Sequence, residues 1–242
     1  MKAISFLLSF FVSFAFCLEI DPKLYNDSSI LQLVKKIIPK DPVIVEAGGH
    51  HGEDTCRMKS VWPESTIYTF EPNPNSFEIL RKRIAGLSQV VCFPLGLYDI
   101  SGTHVFYKCN LDDGASSFLE STEKRKNFYR DQPPIEINCV ALDDWAEENN
   151  VEYVDFIWLD VEGVELNVFK GALEILKNLK AVYLEVNFQE FRKEMVQYKD
   201  VRDLLEKSGF CQIYITPGIS LDIQANALFV KKEIAEKLNI KH

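Results

Sequence analysis

The chain lacks a CxxC pair, an HxxxH pair, a GKS or GKT triplet and any internal repeat. Without CxxC or HxxxH no local zinc-ligand pair exists, so no metal is expected, although Asp160, Glu162, Glu185 and His50 could converge on one rim. Without GKS or GKT there is no P-loop. The absence of repeats and low-complexity tracts excludes solenoids and propellers. Positive charge is in short supply: 27 Lys plus Arg stand against 36 Asp plus Glu, for a net −9. Such a chain is a poor binder of phosphate backbones, and no nucleic-acid partner is expected. What is present is an ordinary globular composition, 47% hydrophobic and 26% charged over 242 residues, which rules out a disordered or collagen-like chain. Six cysteines stand at Cys17, Cys56, Cys92, Cys109, Cys139 and Cys211. Cys92, Cys139 and Cys211 sit in apolar stretches as small core residues. Cys109 with Cys139 is the pair to test for a disulfide.

Lys2 precedes an apolar run from Ala3 to Leu18. A positive start followed by a short apolar stretch has the form of a signal peptide, with Ala15 and Cys17 as small residues before a cut after Cys17. The run is short for a membrane span, which needs ~20 apolar residues. The expectation is therefore a signal peptide or N-terminal anchor over 1–17 and a single domain over 18–242. A secretory or extracytoplasmic location follows. The alternatives are a buried helix and a retained anchor with the domain facing the cytosol, the only case in which a membrane is a partner.

From Ser28 or Ser29 to about Ile38 the spacing predicts a helix, ended by Pro39. Strands are expected at Val43–Val45, Thr66–Phe70, Val90–Phe93, Val154–Leu159 and Ala181–Val186. Between them come helices from Glu53, over Ser76–Ile84, over Leu142–Glu148 and from Glu165 to about Leu176. From Leu97 to Val140 this rhythm breaks, with strands at Thr103–Tyr107 and Ile135–Val140. A helix over Val201–Ser208, closed by Gly209, precedes strands Cys211–Ile215 and Ala225–Val230 with Pro217-Gly218 between them. Alternating strands and helices predict an α/β fold, a mostly parallel sheet covered on both faces, with a small β insertion and an antiparallel terminal hairpin. Such sheets bind ligands at the carboxyl ends of the strands. The residues to inspect are Glu46 to Gly52, Glu71 to Asn73, Asp160 to Gly163 and Glu185 to Asn187.

The turn after the first strand reads Glu46-Ala47-Gly48-Gly49-His50-His51-Gly52. Gly48 and Gly52 allow a sharp turn and close approach of backbone to a ligand. Glu71 ends the next strand, 19 residues after Gly52, where a carboxylate can accept both hydroxyls of a ribose. The dinucleotide fingerprint GxGxxG fails, because His50 or His51 occupies its second glycine. The acidic neighbours Glu46, Glu53 and Asp54 also disfavour a pyrophosphate. A cationic cofactor with a ribose and no phosphate, such as S-adenosyl-L-methionine, suits this turn better than NAD.

The segments EAGGHHGEDT, FEPNPNSFEIL, GASSFL, LDDW, WLDVEGVELNVFKGA and YLEVN occur in this order. In them the chain resembles the FkbM-type methyltransferases from about Val43 to Asn187. The resemblance implies a class I methyltransferase, Rossmann-like fold of seven strands with the last reversed. It implies S-adenosyl-L-methionine as methyl donor and a hydroxyl acceptor on a sugar, other glycan or small metabolite. The family's first motif usually reads D-x-G-A-N-x-G; here Glu46 replaces the Asp and Gly49-His50 replace Ala-Asn. Cofactor-binding residues are then Glu46, Ala47, Gly48, His50, Gly52, Glu71, Pro72 and Asn73. Asp160 and Glu162 are the catalytic pair, each able to act as base, to hold the acceptor or to cap the following helix. His50 and His51 lie in the cofactor turn and are further candidates. Ser116 and Ser117 either close over the site or lie in a solvated loop. Trp145 and Trp158 read as packing residues. Two other function classes stay open: a methyltransferase fold that binds without turnover, and a nucleotide-sugar or NAD enzyme.

Overall fold

A computed structural model describes residues 27–217 and 223–240. The expected signal segment, Cys17 and Gly218 lie outside the described residues. In chain order the elements are α1 (Asp27–Val34), β1 (Val43–Ala47), α2 (Glu53–Val61), β2 (Thr66–Phe70), α3 (Pro74–Ile84) and β3 (Val90–Phe93). Then come β4 (Gly96–Leu97), β5 (Gly102–Phe106), a 3-10 turn (Asp113–Ala115), α4 (Lys126–Tyr129), β6 (Ile135–Val140) and α5 (Leu142–Glu148). The chain continues with β7 (Phe156–Leu159), α6 (Glu165–Lys170), α7 (Ile175–Asn178), β8 (Ala181–Asn187), α8 (Tyr198–Lys207), β9 (Phe210–Pro217), β10 (Gln224–Lys231) and α9 (Lys232–Lys237).

Seven strands form one sheet in the order β3-β2-β1-β7-β8-β10-β9. The first five run parallel, while β10 is antiparallel to both β8 and β9. This is the expected mostly parallel sheet with an antiparallel terminal hairpin, in which β10 is the reversed strand. A second sheet, β4-β6-β5, is the expected insertion.

Strand alternation distributes the core between two faces. Ile44, Ile67, Phe156, Trp158 and Tyr183 pack with Ile30, Leu31 and Val34 of α1 and Met58 of α2. Val45, Phe70, Ile157, Leu159 and Leu184 pack with Trp145 of α5, Phe169 of α6 and Leu205 of α8. Covering both faces is what makes the central strands read as continuous apolar runs. Trp145 and Trp158 are packing residues, as expected. Trp145 meets Phe70 edge-on at 5.1 Å, and Trp158 lies 4.6 Å from Tyr183.

Several expected boundaries shift, each for a local reason. Helix α1 starts at Asp27, so Ser28 and Ser29 lie in its first turn, and single turns carry the chain from Val34 to Ile38. Helix α3 starts at Pro74, because the Asn73 side chain accepts from the Asn75 N–H at 3.2 Å and Pro74 fits the first turn. The helix expected from Glu165 to Leu176 is two helices. It breaks at Gly171, where an added Cβ would stand 2.2 Å from the Tyr98 carbonyl oxygen. Asp143 then caps α7, accepting from the N–H groups of Glu174 at 2.8 Å and Ile175 at 3.0 Å. The short β4 and the terminal α9 were not expected. Cys109 and Cys139 are unpaired thiols: the Cys109 thiol donates to the Tyr129 carbonyl, and Cys139 packs beside Gly96. No described helix is long and apolar enough to cross a membrane.

Candidate active site

A cavity of about 410 Å³ opens at the carboxyl ends of β1, β2 and β7, and the insertion forms its far wall. Its lining includes Gly48, Gly49, His50, Phe70, Glu71 and Pro72 from the sheet edge, Gly96, Leu97, Phe106 and Phe118 from the insertion, and Asp160 to Glu162. The titratable lining is acidic apart from His50: Glu53, Asp54, Glu71, Asp112, Asp113, Asp160 and Glu162, with no Lys or Arg. That field favours a cationic guest and opposes a pyrophosphate.

The glycine turn is shaped by its neighbour strand. Gly48 has φ +86°, and a Cβ there would lie 1.7 Å from the Asp160 carbonyl oxygen. Asp160 N–H in turn donates to the Ala47 carbonyl at 2.9 Å. Only glycine lets the ends of β1 and β7 lie this close. His50 follows with φ 44°, which brings its N–H to Glu71 Oε2 at 2.7 Å. The Asn73 N–H donates to the other Glu71 oxygen at 2.7 Å. Glu71 is thus oriented at both oxygens, and each oxygen keeps a second lone pair for a ligand. Burial pushes its carboxyl up to about 7, against the pull of those two N–H groups.

The two histidines hold the insertion in place. Their rings stack at 3.7 Å, and each Nε2 meets one oxygen of Asp113 at 2.9 Å. The Ser76 hydroxyl adds a third bond to Asp113. Partial burial would raise the Asp113 carboxyl, but the His50 and His51 bonds outweigh it and bring it down to about 2. Ser116 lines the cavity, its hydroxyl donating to the Asp113 carbonyl at 2.7 Å. Ser117 is buried and donates to the Glu162 carbonyl at 2.8 Å. Ser117 thus ties the insertion to the Glu162 turn, while Ser116 bonds within the insertion. Arg192, fully buried, holds the insertion as well: its guanidinium donates to the carbonyls of Leu119 and Ala115 and lies 4.3 Å over the Tyr129 ring.

At the opposite end Asp160 is exposed to the cavity. Glu162 sits in a left-handed turn with φ 53°. Burial and the charge of Asp160 push its carboxyl up to about 8. Burial, Asp160 and Glu162 likewise hold the Glu185 carboxyl well above the usual range. Oxygens of Asp160, Glu162 and Glu185 lie within 4.8 Å of one another. His50 does not join them; it belongs to the group with Asp112 and Asp113.

Of the residues expected to bind cofactor, Gly48, His50, Glu71 and Pro72 line the cavity. Glu46, Ala47, Gly52 and Asn73 do not. Glu46 turns inward and accepts from the Thr55 hydroxyl, and burial pushes its carboxyl up to about 8. Ala47 is buried in the core. Gly52 packs against Leu80 and precedes α2, and Asn73 caps α3. Both expected catalytic residues, Asp160 and Glu162, line the cavity. Sequence reasoning missed Asp112, Asp113, Gly96, Leu97, Phe106 and Phe118. They reach the site through the insertion, as shown by the 63 residues that separate Asp113 from His50.

Comparison with known proteins matches this geometry to a family. Residues 46–211 match the methyltransferase FkbM domain. The chain is 30% identical over 182 residues to the 2-O-methyltransferase NoeI of Sinorhizobium fredii, covering 72% of this chain and 75% of that one. It is 25% identical over 188 residues to the hexuronic acid methyltransferase AglP of Haloferax volcanii, covering 76% and 70%. The crystal structure of methyltransferase FkbM from Methylobacillus flagellatus shares the fold at a TM-score of 0.52 and 16% identity, over 86% of this chain and 50% of that one. The chain belongs to the FkbM methyltransferase family, with a class I methyltransferase fold and S-adenosyl-L-methionine as its cofactor.

Proposed function

We propose that the protein transfers a methyl group from S-adenosyl-L-methionine to a hydroxyl of a sugar or other small glycan. One observation carries the reading: an acidic cavity with an oriented carboxylate, Glu71, at the end of β2 and an exposed carboxylate, Asp160, at the end of β7. Glu71 takes the ribose hydroxyls. Gly48, His50 and Pro72 shape the same wall. Asp160 and Glu162 face the methionine end and the acceptor. NoeI and AglP are named for methyl transfer to a 2-oxygen and to a hexuronic acid, which supports a sugar-type acceptor.

In the transfer, the acceptor oxygen forms a bond to the methyl carbon as the methyl–sulfur bond breaks. The electron pair stays on sulfur, leaving a neutral thioether. The hydroxyl proton passes to the carboxylate that orients it. Most of the acceleration comes from holding oxygen, carbon and sulfur in line. Incubation with the cofactor and a panel of neutral sugars, uronic acids and oligosaccharides tests the reading. Formation of S-adenosylhomocysteine with a methylated sugar supports it. Cofactor binding without either product in any pool would favour a binding module. Binding of NAD in place of S-adenosyl-L-methionine would overturn the cofactor assignment.

For location, we propose entry to a secretory route through residues 1–17. Mass spectrometry of the native N-terminus tests it: a chain starting at Leu18 supports export, and an intact Met1 on a cytosolic protein refutes it.

A further inference from the structure

Three carboxylates meet where β7 and β8 leave the sheet. The parallel register runs from Phe156 beside Ala181 to Leu159 beside Leu184, so the next rung sets Asp160 beside Glu185 on one face. Glu162 joins them through its left-handed turn, φ 53°, which the Ser117 hydroxyl holds at the carbonyl. One oxygen of each lies within 4.8 Å of the others. Like charges this close oppose one another, and either protons or a cation between them relieve the strain.

Asn187 supplies a second and separate observation. It is 1% exposed, yet neither its amide nitrogen nor its amide oxygen has a hydrogen-bond partner. It stands two residues beyond Glu185 in β8, so its side chain leaves the same face of the sheet. The Oε1 atom of Glu185 is also buried without a partner. Asp160 and Glu162 line the cavity, and Glu185 and Asn187 lie behind them; buried polar groups are almost always satisfied, and unsatisfied ones beside such a cluster call for a ligand. The oxygens present are carboxylate and amide oxygens, with no Cys or His among them, which is the donor set of a hard cation.

We propose that Asp160, Glu162, Glu185 and the amide oxygen of Asn187 bind one divalent cation, Mg²⁺ or Mn²⁺, at the acceptor end of the cavity. An ammonium guest would satisfy the carboxylates but would confront the Asn187 amide nitrogen with further donors. A cation that carries an acceptor oxygen gives that nitrogen something to donate to. The role in catalysis rests on the methyl-transfer reading above: the cation would hold the acceptor hydroxyl and make its proton easier to lose. Cation binding itself does not depend on that reading.

The test uses the chelator-treated full chain, without cofactor or acceptor, titrated with Mn²⁺ while free Mn²⁺ is followed by electron paramagnetic resonance. One Mn²⁺ per chain, displaced by excess Mg²⁺, is the expected result. Glu185→Gln and Asn187→Leu should each weaken binding at least about tenfold, and Asn187→Asp should tighten it, because charge count sets affinity at oxygen sites. Glu148→Gln, at an exposed carboxylate of α5, should leave it unchanged. Melting curves identify the variants that fold. No Mn²⁺ bound by the folded parent chain overturns the proposal. So does binding that is unaltered in Glu185→Gln and Asn187→Asp, or lost in Glu148→Gln. Methyl transfer that runs at full rate in excess EDTA would remove the cation from the reaction and leave the methyltransferase reading intact. Site-specific Mn²⁺ binding without S-adenosylhomocysteine formation would uphold the cation and remove that reading.

Discussion

At the β1–β2 end of the cavity, Glu71 accepts N–H groups from His50 and Asn73, and Asp113 accepts from two imidazoles and a serine hydroxyl. At the β7–β8 end, Glu185 Oε1 and both amide atoms of Asn187 are buried without partners. The first end is arranged by the protein's own hydrogen bonds before any ligand arrives. The second gathers three carboxyl groups whose mutual repulsion is relieved by protons or by a cation. Under the proposed methyl transfer this asymmetry gives a preset seat for the cofactor at one end and unsatisfied polar groups near the acceptor at the other.

The largest effect should come from joining the two ends by force. Gly48→Ala puts a methyl group 1.7 Å from the Asp160 carbonyl oxygen at a φ of +86°. Backbone must move, so both cofactor binding and stability should fall, the strained φ alone costing about 1–2 kcal/mol. Calorimetry and melting check this, and parent-like values for both would contradict the close approach.

Next comes Asp160→Asn, which keeps the shape and removes the charge. If Asp160 serves the acceptor, the rate should fall on the order of 10²–10⁴ while cofactor affinity barely changes. A loss of affinity as well would move Asp160 to the cofactor's ammonium. Unaltered rate and affinity in a folded variant would leave it as a structural turn residue.

Glu71→Ala acts on the other end and should do the reverse. Cofactor binding should weaken by about 1.5–3 kcal/mol, the range for hydrogen bonds to a charged group. Unchanged affinity by calorimetry would remove Glu71 from the ribose.

Smaller effects follow from pH. Glu46 and Glu71 are raised from 4.5 to about 8 and about 7 in the folded chain. Each folded carboxyl holds its proton where the unfolded one has lost it, so stability is greatest below pH 4.5 for these groups and declines as pH rises toward 7–8. One unit of difference is about 1.4 kcal/mol, or about 3 °C in a chain of this size. The ligand-free melting temperature of the parent should therefore fall between pH 5 and pH 8 more steeply than that of Glu46→Gln. Parallel profiles would contradict the buried, protonated Glu46. Asp113 runs the other way: its carboxyl is lowered from 3.8 to about 2, so its contribution is present above 3.8 and lost as pH falls through about 2. Asp113→Asn should flatten melting curves only at the acid end.

The sheet was legible because its strands are short apolar runs bounded by Pro, Gly and acidic residues, and strand ends point to ligands. That rule marked Glu71, Asp160 and Glu185 to Asn187. It overreached at Glu46 and Ala47, which still lie inside β1, where side chains alternate into the layers instead of over the edge. Asn73 and Gly52 sit at helix starts and are consumed by local geometry. The insertion was legible as a break in rhythm, while its contribution was not. Asp113 reaches His50, His51 and Ser76 across stretches of chain that carry no local pattern. Whether a polar atom is partnered is likewise a property of tertiary packing. Glu71 and Glu185 both end strands in the sequence, although Glu71 accepts an N–H at each oxygen and Glu185 Oε1 is buried without a partner.

The central claim is that the cofactor lies with its ribose on Glu71 and its sulfur toward Asp160. A crystal structure with S-adenosylhomocysteine measures this directly. The account predicts both ribose hydroxyls within hydrogen-bond distance of Glu71, the His50 and Asn73 N–H bonds retained, and the sulfur on the Asp160–Glu162 side of the cavity. A ribose bound away from Glu71, or a sulfur turned from Asp160, would contradict it.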